Sequence, residues 1–349
     1  MSSSLFPGGA LRGKLLPTVA TIGVITVAGT ACTPQPAPSS SASTPAGDYL
    51  LVVSTKDDSL RIVDAATMTP TGAAIPVGAI PSDVAVSRDG TRAWVLSPID
   101  NSATEIDTRR QVRVGSPLLV GTYPAAAIVS PDGTRLYVLG GETDDVRAYD
   151  TRTHTQIGDP LRVGDAPGGL AMSADGRRLY ATSQYQSDVR IIDAEEWHAF
   201  GEPIPAGKAP TRIALSPDGA RAYVTNSMSG TVTVIDTVTH QPTGQSVRVG
   251  DYPCAITVSP DGRKIYVANQ NSANVSIIDA GTLQVEQSVP AGYAPSGMTA
   301  SPDGRRLYIT NMYNGTISVI DTAVEAPARP SAVLADTPRG IATARITAR

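Results

Sequence analysis

Seven aspartates recur along this 349-residue chain at Asp64, Asp107, Asp150, Asp193, Asp236, Asp279 and Asp321. Each ends a short apolar run, and the spacing is 43 residues until a final step of 42. Three further markers keep the same phase. An aromatic residue stands thirteen positions before six of the aspartates (Trp94, Tyr137, Tyr180, Tyr223, Tyr266 and Tyr308), and Leu51 takes that place in the first copy. The turn Ser-Arg-Asp-Gly at 87–90 returns as Ser-x-Asp-Gly at 130–133, 173–176, 216–219, 259–262 and 301–304. A proline opens each unit: Pro81, Pro124, Pro167, Pro210, Pro253, Pro295 and Pro338. Chance does not hold four independent markers in register this far. A period of 40–45 residues made of short strands predicts propeller blades.

Each unit reads as four strands. In the copy that opens at Pro210, strands are expected at 212–216, 222–225, 231–235 and 245–249. The Ser-Pro-Asp-Gly turn between the first two supplies Pro for a preset φ and Gly for φ > 0. The β-branched run 231–235 favours a strand, and the following aspartate can accept backbone N–H bonds. The chain would begin inside a blade, with a second strand near 50–54, and end on an unmatched first strand at 339–346. The expected fold is therefore all-β: a seven-bladed β-propeller of four-stranded antiparallel blades over 48–349. The C-terminal strand would join the N-terminal blade, a one-plus-three closure that leaves no open ring edge.

The N-terminus reads as an address. Arg12 and Lys14 precede an apolar run at 15–31 that ends Gly29-Thr30-Ala31-Cys32. Small residues before a cysteine resemble the lipobox of bacterial lipoproteins, although Gly29 stands where Leu is usual. The resemblance implies a signal peptide at 1–31 and lipidation of Cys32. Plain cleavage after Ala31 and an uncleaved anchor are the alternatives. Residues 32–47 are rich in Pro, Ser and Ala and read as a tether. The expected location is the outer face of the cell membrane, held by the lipid anchor, with the chain secreted as a monomer.

Cys254 then stands alone, and a lone cysteine in a repeat is most simply a packed thiol. His154, His198 and His240 have no metal-ligand spacing, so no metal site is expected. Losing Arg12 and Lys14 with the leader takes the formal charge from −4 to −6, which argues against a phosphate-backbone binder.

The strings YVTNSMSGTVTVIDT (223–237), YVANQNSANVSIIDA (266–280) and YITNMYNGTISVIDT (308–322) resemble the YVTN β-propeller repeat family, which covers surface-layer-type and YncE-like periplasmic proteins. The resemblance spans 49–349 and implies the propeller fold. Related propellers include lactonase-type enzymes and streptogramin lyases, and YncE-like relatives suggest DNA binding. The histidine of the lyases has no counterpart on an expected inner strand. Early copies depart from the pattern, with SPID (97–100) and GGET (140–143) replacing the Asn-containing loop.

What repeats seven times belongs to the scaffold, and so do Asn226, Asn269 and Asn311, expected to bond backbone locally. Function is expected where the copies differ, on the face where linkers and the loops between second and third strands converge. That places Asp83, Tyr123, Asp165, Lys208, Arg212, Asp251, Tyr252, Tyr293 and Arg339 on one rim of the central channel. Gln184, Tyr185, Gln270 and Tyr313 come from nearby loops, and the small residues elsewhere are expected to leave the channel open. No P-loop or Gly-x-Ser-x-Gly elbow occurs. The sequence therefore favours a non-enzymatic binding module for a small molecule, peptide or envelope protein, with no cofactor and no catalytic residue. The alternative is a lactonase- or lyase-like enzyme in the channel, which a buried inner-strand carboxylate of raised pKa, such as Asp83, would favour. A DNA-binding propeller is the third reading.

Overall fold

The computed structural model describes Thr44, residues 46–333 and residues 336–347. The expected leader 1–31, Cys32 and most of the tether lie outside the described residues. Each repeat folds into one four-stranded antiparallel sheet, and seven such blades form the all-β architecture. Blade 5 shows the plan: Pro210–Leu215 innermost, then Arg221–Asn226, Thr231–Asp236 and Gln241–Arg248. The two middle strands are buried on both faces because each blade packs between two others, and even their polar residues Thr225, Asn226 and Thr233 are buried. The outer strand carries mostly exposed residues. It starts four residues before the expected 245. Pro242 and Gly244 read as a turn, but a register shift between Thr233 and Ile235 absorbs the irregularity and keeps the edge paired.

The ring closes as the strand count requires. Pro338–Ile346 pairs antiparallel with Gly47–Ser54, aligning Leu51 with Ala342 and Gly47 with Ile346. Gly47–Ser54 pairs in turn with Ser59–Asp64, which completes blade 1 with the short outer pieces Thr69–Pro70 and Ile75–Pro76. The inner strand of blade 1 then contacts those of blade 7, Pro295–Ala300, and blade 2, Asp83–Val86, so the seven inner strands meet in cyclic order.

The repeated polar residues tie each turn down. Asp236 Oδ1 accepts the backbone N–H groups of Val238 (2.9 Å) and Thr239 (2.8 Å), which holds its carboxyl below the usual range. In the Ser-x-Asp-Gly turns, Ser87 Oγ donates to Asp89 Oδ1 at 2.6 Å and Gly90 takes a φ of +69°. Thr151, one step after Asp150, donates its hydroxyl to Gly133 O at 2.7 Å and stitches the strand 3–4 turn to the strand 1–2 turn. Asn226 and Asn311 do more than bond locally, each accepting a linker N–H. Asn226 Oδ1 accepts Gly207 N–H (3.0 Å) from the preceding linker, while its Nδ2 donates to Thr231 and Thr233.

Strand direction gives the ring two distinct faces. One carries the inter-blade linkers and the strand 2–3 turns, here called the linker face. The other carries the Ser-x-Asp-Gly turns and the strand 3–4 turns.

Candidate functional site

Every linker makes the same turn into its blade. The residue before each opening proline is left-handed in all seven copies: Ile80, Tyr123, Ala166, Ala209, Tyr252, Ala294 and Thr337, with φ from 48° to 55°. Side chains rarely adopt that conformation, yet the ring imposes it seven times. At this kink Tyr123 and Tyr252 stay on the surface, 43% and 42% exposed.

Two cavities of about 260 and 330 Å³ open at the channel mouth on the linker face, and they share Ser82, Arg212 and Arg339. Asp83, Tyr252 and Gln270 join them in the first cavity, Tyr123 and Gln184 in the second. Five of the nine sequence candidates thus meet here. Lys208, Asp251 and Tyr293 are exposed on the surrounding loops, and Asp165 is ion-paired with Arg162 at 2.5 Å; none of these four lines either cavity.

The seven inner strands carry only four charged residues: Asp83, Arg212, Arg339 and Arg345. Arg345 lies at the far end, in a two-point ion pair with Asp48 (2.7 and 2.9 Å). The other three stand at the mouth. Arg212 donates to Gly168 O on the neighbouring blade. Asp83 Oδ1 accepts Val84 N–H at 3.0 Å. Burial raises the proton affinity of Asp83, and the attraction of Arg212 and Arg339 only partly opposes this. Within 4.0 Å neither arginine forms an ion pair with it among the described residues.

The glycines at the mouth serve packing between blades. Two residues after the proline, Gly169, Gly297 and Gly340 face the backbone of the next inner strand. A Cβ on Gly340 would lie 2.9 Å from Asp83 Cα, and one on Gly169 would lie 2.8 Å from Arg212 Cα. These glycines allow close blade packing.

The comparisons with known proteins agree with this architecture. The YNCE-like beta-propeller family matches residues 12–349. The chain belongs to the YncE-like β-propeller family. No curated protein sequence matches it. Among solved structures, a functionally unknown protein from Desulfotomaculum acetoxidans superposes with a TM-score of 0.76 at 18% identity, covering 85% of this chain and 99% of that one. A candidate 6-phosphogluconolactonase from Bacteroides uniformis gives 0.72 at 17%, with coverage of 85% and 99%. The dihydro-heme d1 dehydrogenase NirN gives 0.64 at 16%, with coverage of 84% and 74%. At these identities the likeness is one of fold.

In this YncE-like ring, one column at the mouth explains Cys254. The residue after each opening proline is Ser82, Ala125, Gly168, Thr211, Cys254, Ser296 or Arg339. Thr211 Oγ1 donates to Pro253 O (3.2 Å), Cys254 Sγ to Pro295 O (3.0 Å) and Ser296 Oγ to Pro338 O (3.1 Å). The thiol stands in for a hydroxyl in an inter-blade bond, and burial pushes its pKa up to about 12. Thiolate is the reactive form, so Cys254 is a poor nucleophile at neutral pH. Cys254→Ser is expected to melt within about 0.5 kcal/mol of wild type and Cys254→Ala about 1 kcal/mol below it. Alkylation by iodoacetamide at pH 8 should be slow in the native chain and fast in urea.

A second feature was not legible in the sequence. Glu105 lies two residues before its aspartate, where other blades carry an aliphatic side chain, and its side chain is only 8% exposed. His154 Nε2 sits 2.7 Å from its carboxylate and Arg92 Nη1 3.4 Å away. The corresponding positions elsewhere are Val234 with Leu283 and Val319 with Met68, each pair within one apolar cluster. The strand 3–4 turn of one blade plugs the flank of the previous one, and Glu105–His154 is a polar version of that plug. Replacing a buried polar pair by apolar groups of similar shape is often stabilising, whereas removing one partner strands the other. Glu105→Val/His154→Leu is expected to gain about 1 kcal/mol and His154→Leu alone to lose about 2 kcal/mol, read by urea denaturation.

Proposed function

We propose that this YncE-like propeller is a non-enzymatic binding module that engages a small ligand or partner at the channel mouth on its linker face. The distribution of exposed apolar side chains carries this reading. Ile80, Ile99, Tyr123, Tyr185, Met228, Tyr252, Tyr293 and Tyr313 are exposed on linkers and strand 2–3 turns of this face, against Val238 and Val324 on the turns of the other. Tyrosines offer large contact area at low entropic cost, together with a polar tip. Here they surround the one part of the inner wall that carries unpaired charge.

Thr44 N–H donates to Arg109 O at 2.7 Å, on the strand 3–4 turn of blade 2, so the polypeptide enters from the face opposite the mouth. The lipid-anchored reading on the outer face of a membrane rests on the lipobox-like residues that end at Cys32.

A screen of metals, sugars, lactones, peptides and oligonucleotides by thermal shift tests the proposal. Hits that disappear in Lys208→Ala/Tyr252→Ser/Arg339→Ala are expected. Hits unaffected by that variant would move the site elsewhere, and hits with oligonucleotides alone would favour DNA binding.

A specific observation favours a second reading, an enzyme acting in the channel. Asp83 is an inner-strand carboxylate whose burial raises its pKa, as a general base requires. A group that binds its proton more tightly when folded costs stability above its folded pKa, and the cost fades as pH falls toward the ordinary carboxylate range. Asp83→Asn is therefore expected to raise the melting point at pH 7, with the gain shrinking toward pH 4. Turnover of any hit that Asp83→Asn abolishes would establish the enzymatic reading.

A further inference from the structure

We propose that the channel mouth recognises a small monocarboxylate, with Arg339 and Arg212 as the anion-binding groups and Asp83 setting the charge limit. This rests on the mouth being a ligand site and names the ligand class. The charge arrangement carries it. The whole chain is acidic at −4, yet the charged side chains that line the first cavity are two guanidiniums and one carboxylate, a formal +1, while Glu142 lines only the second cavity. A cleft of one sign in a protein of the other concentrates counter-ions where the low-dielectric wall focuses the field.

Arg339 is the group free to bind. It occupies the position where Thr211, Cys254 and Ser296 bond to the next blade, but its side chain is exposed and has no hydrogen bond or ion pair among the described residues. A guanidinium presents a planar fork that matches a carboxylate in two-point contact. Ser82, shared by both cavities, adds a buried hydroxyl oxygen that has no hydrogen-bond partner. One carboxylate neutralises the first cavity. A phosphate dianion would overshoot that charge and stand beside Asp83, so the arrangement favours the monoanion. Ile256, Met298 and Ile341 line the same cavity as Arg339, which suits a ligand with a short, partly apolar body. The cavities fall at the small end of the size range of metabolite pockets.

Titration calorimetry on the full chain at pH 7 and low salt tests this, with lactate, gluconate, malate, inorganic phosphate, glucose and choline as probes. Lactate or gluconate should bind and choline should not. Arg339→Gln should weaken carboxylate binding at least tenfold, and Arg339→Lys should recover part of it, because charge returns without the fork. Asp83→Asn should tighten binding several-fold, a gain that a purely structural role for Asp83 would not produce. Matching melting curves for Arg339→Gln and wild type would confirm an intact ring. Unchanged affinity in Arg339→Gln, weaker binding in Asp83→Asn, or no carboxylate binding up to about 10 mM would overturn the proposal. Glucose or choline binding that Tyr252→Ser removes would overturn the anion class while leaving the mouth a ligand site. Silence from every probe here and every class in the thermal-shift screen would remove both.

Discussion

Deleting residues 338–349 is expected to abolish cooperative folding of the propeller. The strand Pro338–Ile346 is the inner strand of blade 1 and the contact between blades 7 and 2. Ile341, Ala344 and Ile346 are at most 8% exposed, and their loss bares Leu51 and Val53 of the adjoining strand. Fully burying one such aliphatic chain is worth roughly 1.5–3 kcal/mol, so several together reach about the 5–15 kcal/mol that is the whole stability of a typical domain. The deletion also leaves unpaired strand edges, a template for aggregation. Circular dichroism should show a broad or absent thermal transition, and a synthetic peptide of residues 336–347 added in trans should restore part of it. A sharp transition near the wild-type temperature without the strand would mean that the ring does not depend on this closure.

The second large effect concerns a glycine at the mouth. A Cβ on Gly297 would sit 2.4 Å from Arg339 O, a backbone atom of the next blade that cannot swing away. Gly297 is also locked from behind, because its N–H donates to Thr310 Oγ1 (2.9 Å), which itself donates to Arg339 O (2.8 Å). Gly297→Val must push blades 7 and 1 apart and is expected to cost about 3 kcal/mol or more. Gly133→Ala is the contrast. No atom lies within 4 Å of its would-be Cβ, but its φ is +74°, so a cost of about 1 kcal/mol is expected from backbone strain alone. Urea denaturation of the two variants separates steric from conformational cost at the same residue type.

The blades were legible in the sequence because the physics that builds them repeats. A middle strand packed between two neighbours must be largely buried on both faces, and a tight turn must carry its Asp and Gly, so the repeat carries the strand signal seven times and the turn signal six. The closure followed from counting strands. The linker face was legible too, since variation among otherwise constant linkers marks the loops that the scaffold does not use. The boundary between cavity wall and outer rim was not. Tyr123 and Asp165 both read as linker residues of the rim, and only the fold puts one in a cavity wall and the other against Arg162. Cys254 looked like a packed thiol until its partner, a proline carbonyl 41 residues away, was in place. Glu105 and His154 lie 49 residues apart, and nothing local in either repeat announces their contact. The outer strands were the least certain elements, because an edge strand tolerates Pro and Gly at bulges and so reads like a loop.

The central claim is that ligand recognition belongs to the channel mouth on the linker face. Amide hydrogen exchange of the full chain, with and without saturating ligand from the thermal-shift and calorimetric screens, tests it most directly. Slower exchange is expected in segments 80–84, 122–126, 251–256 and 337–341, with no change in the turns at 216–219, 259–262 and 301–304. Protection confined to those turns, or to the outer strands, would contradict the account.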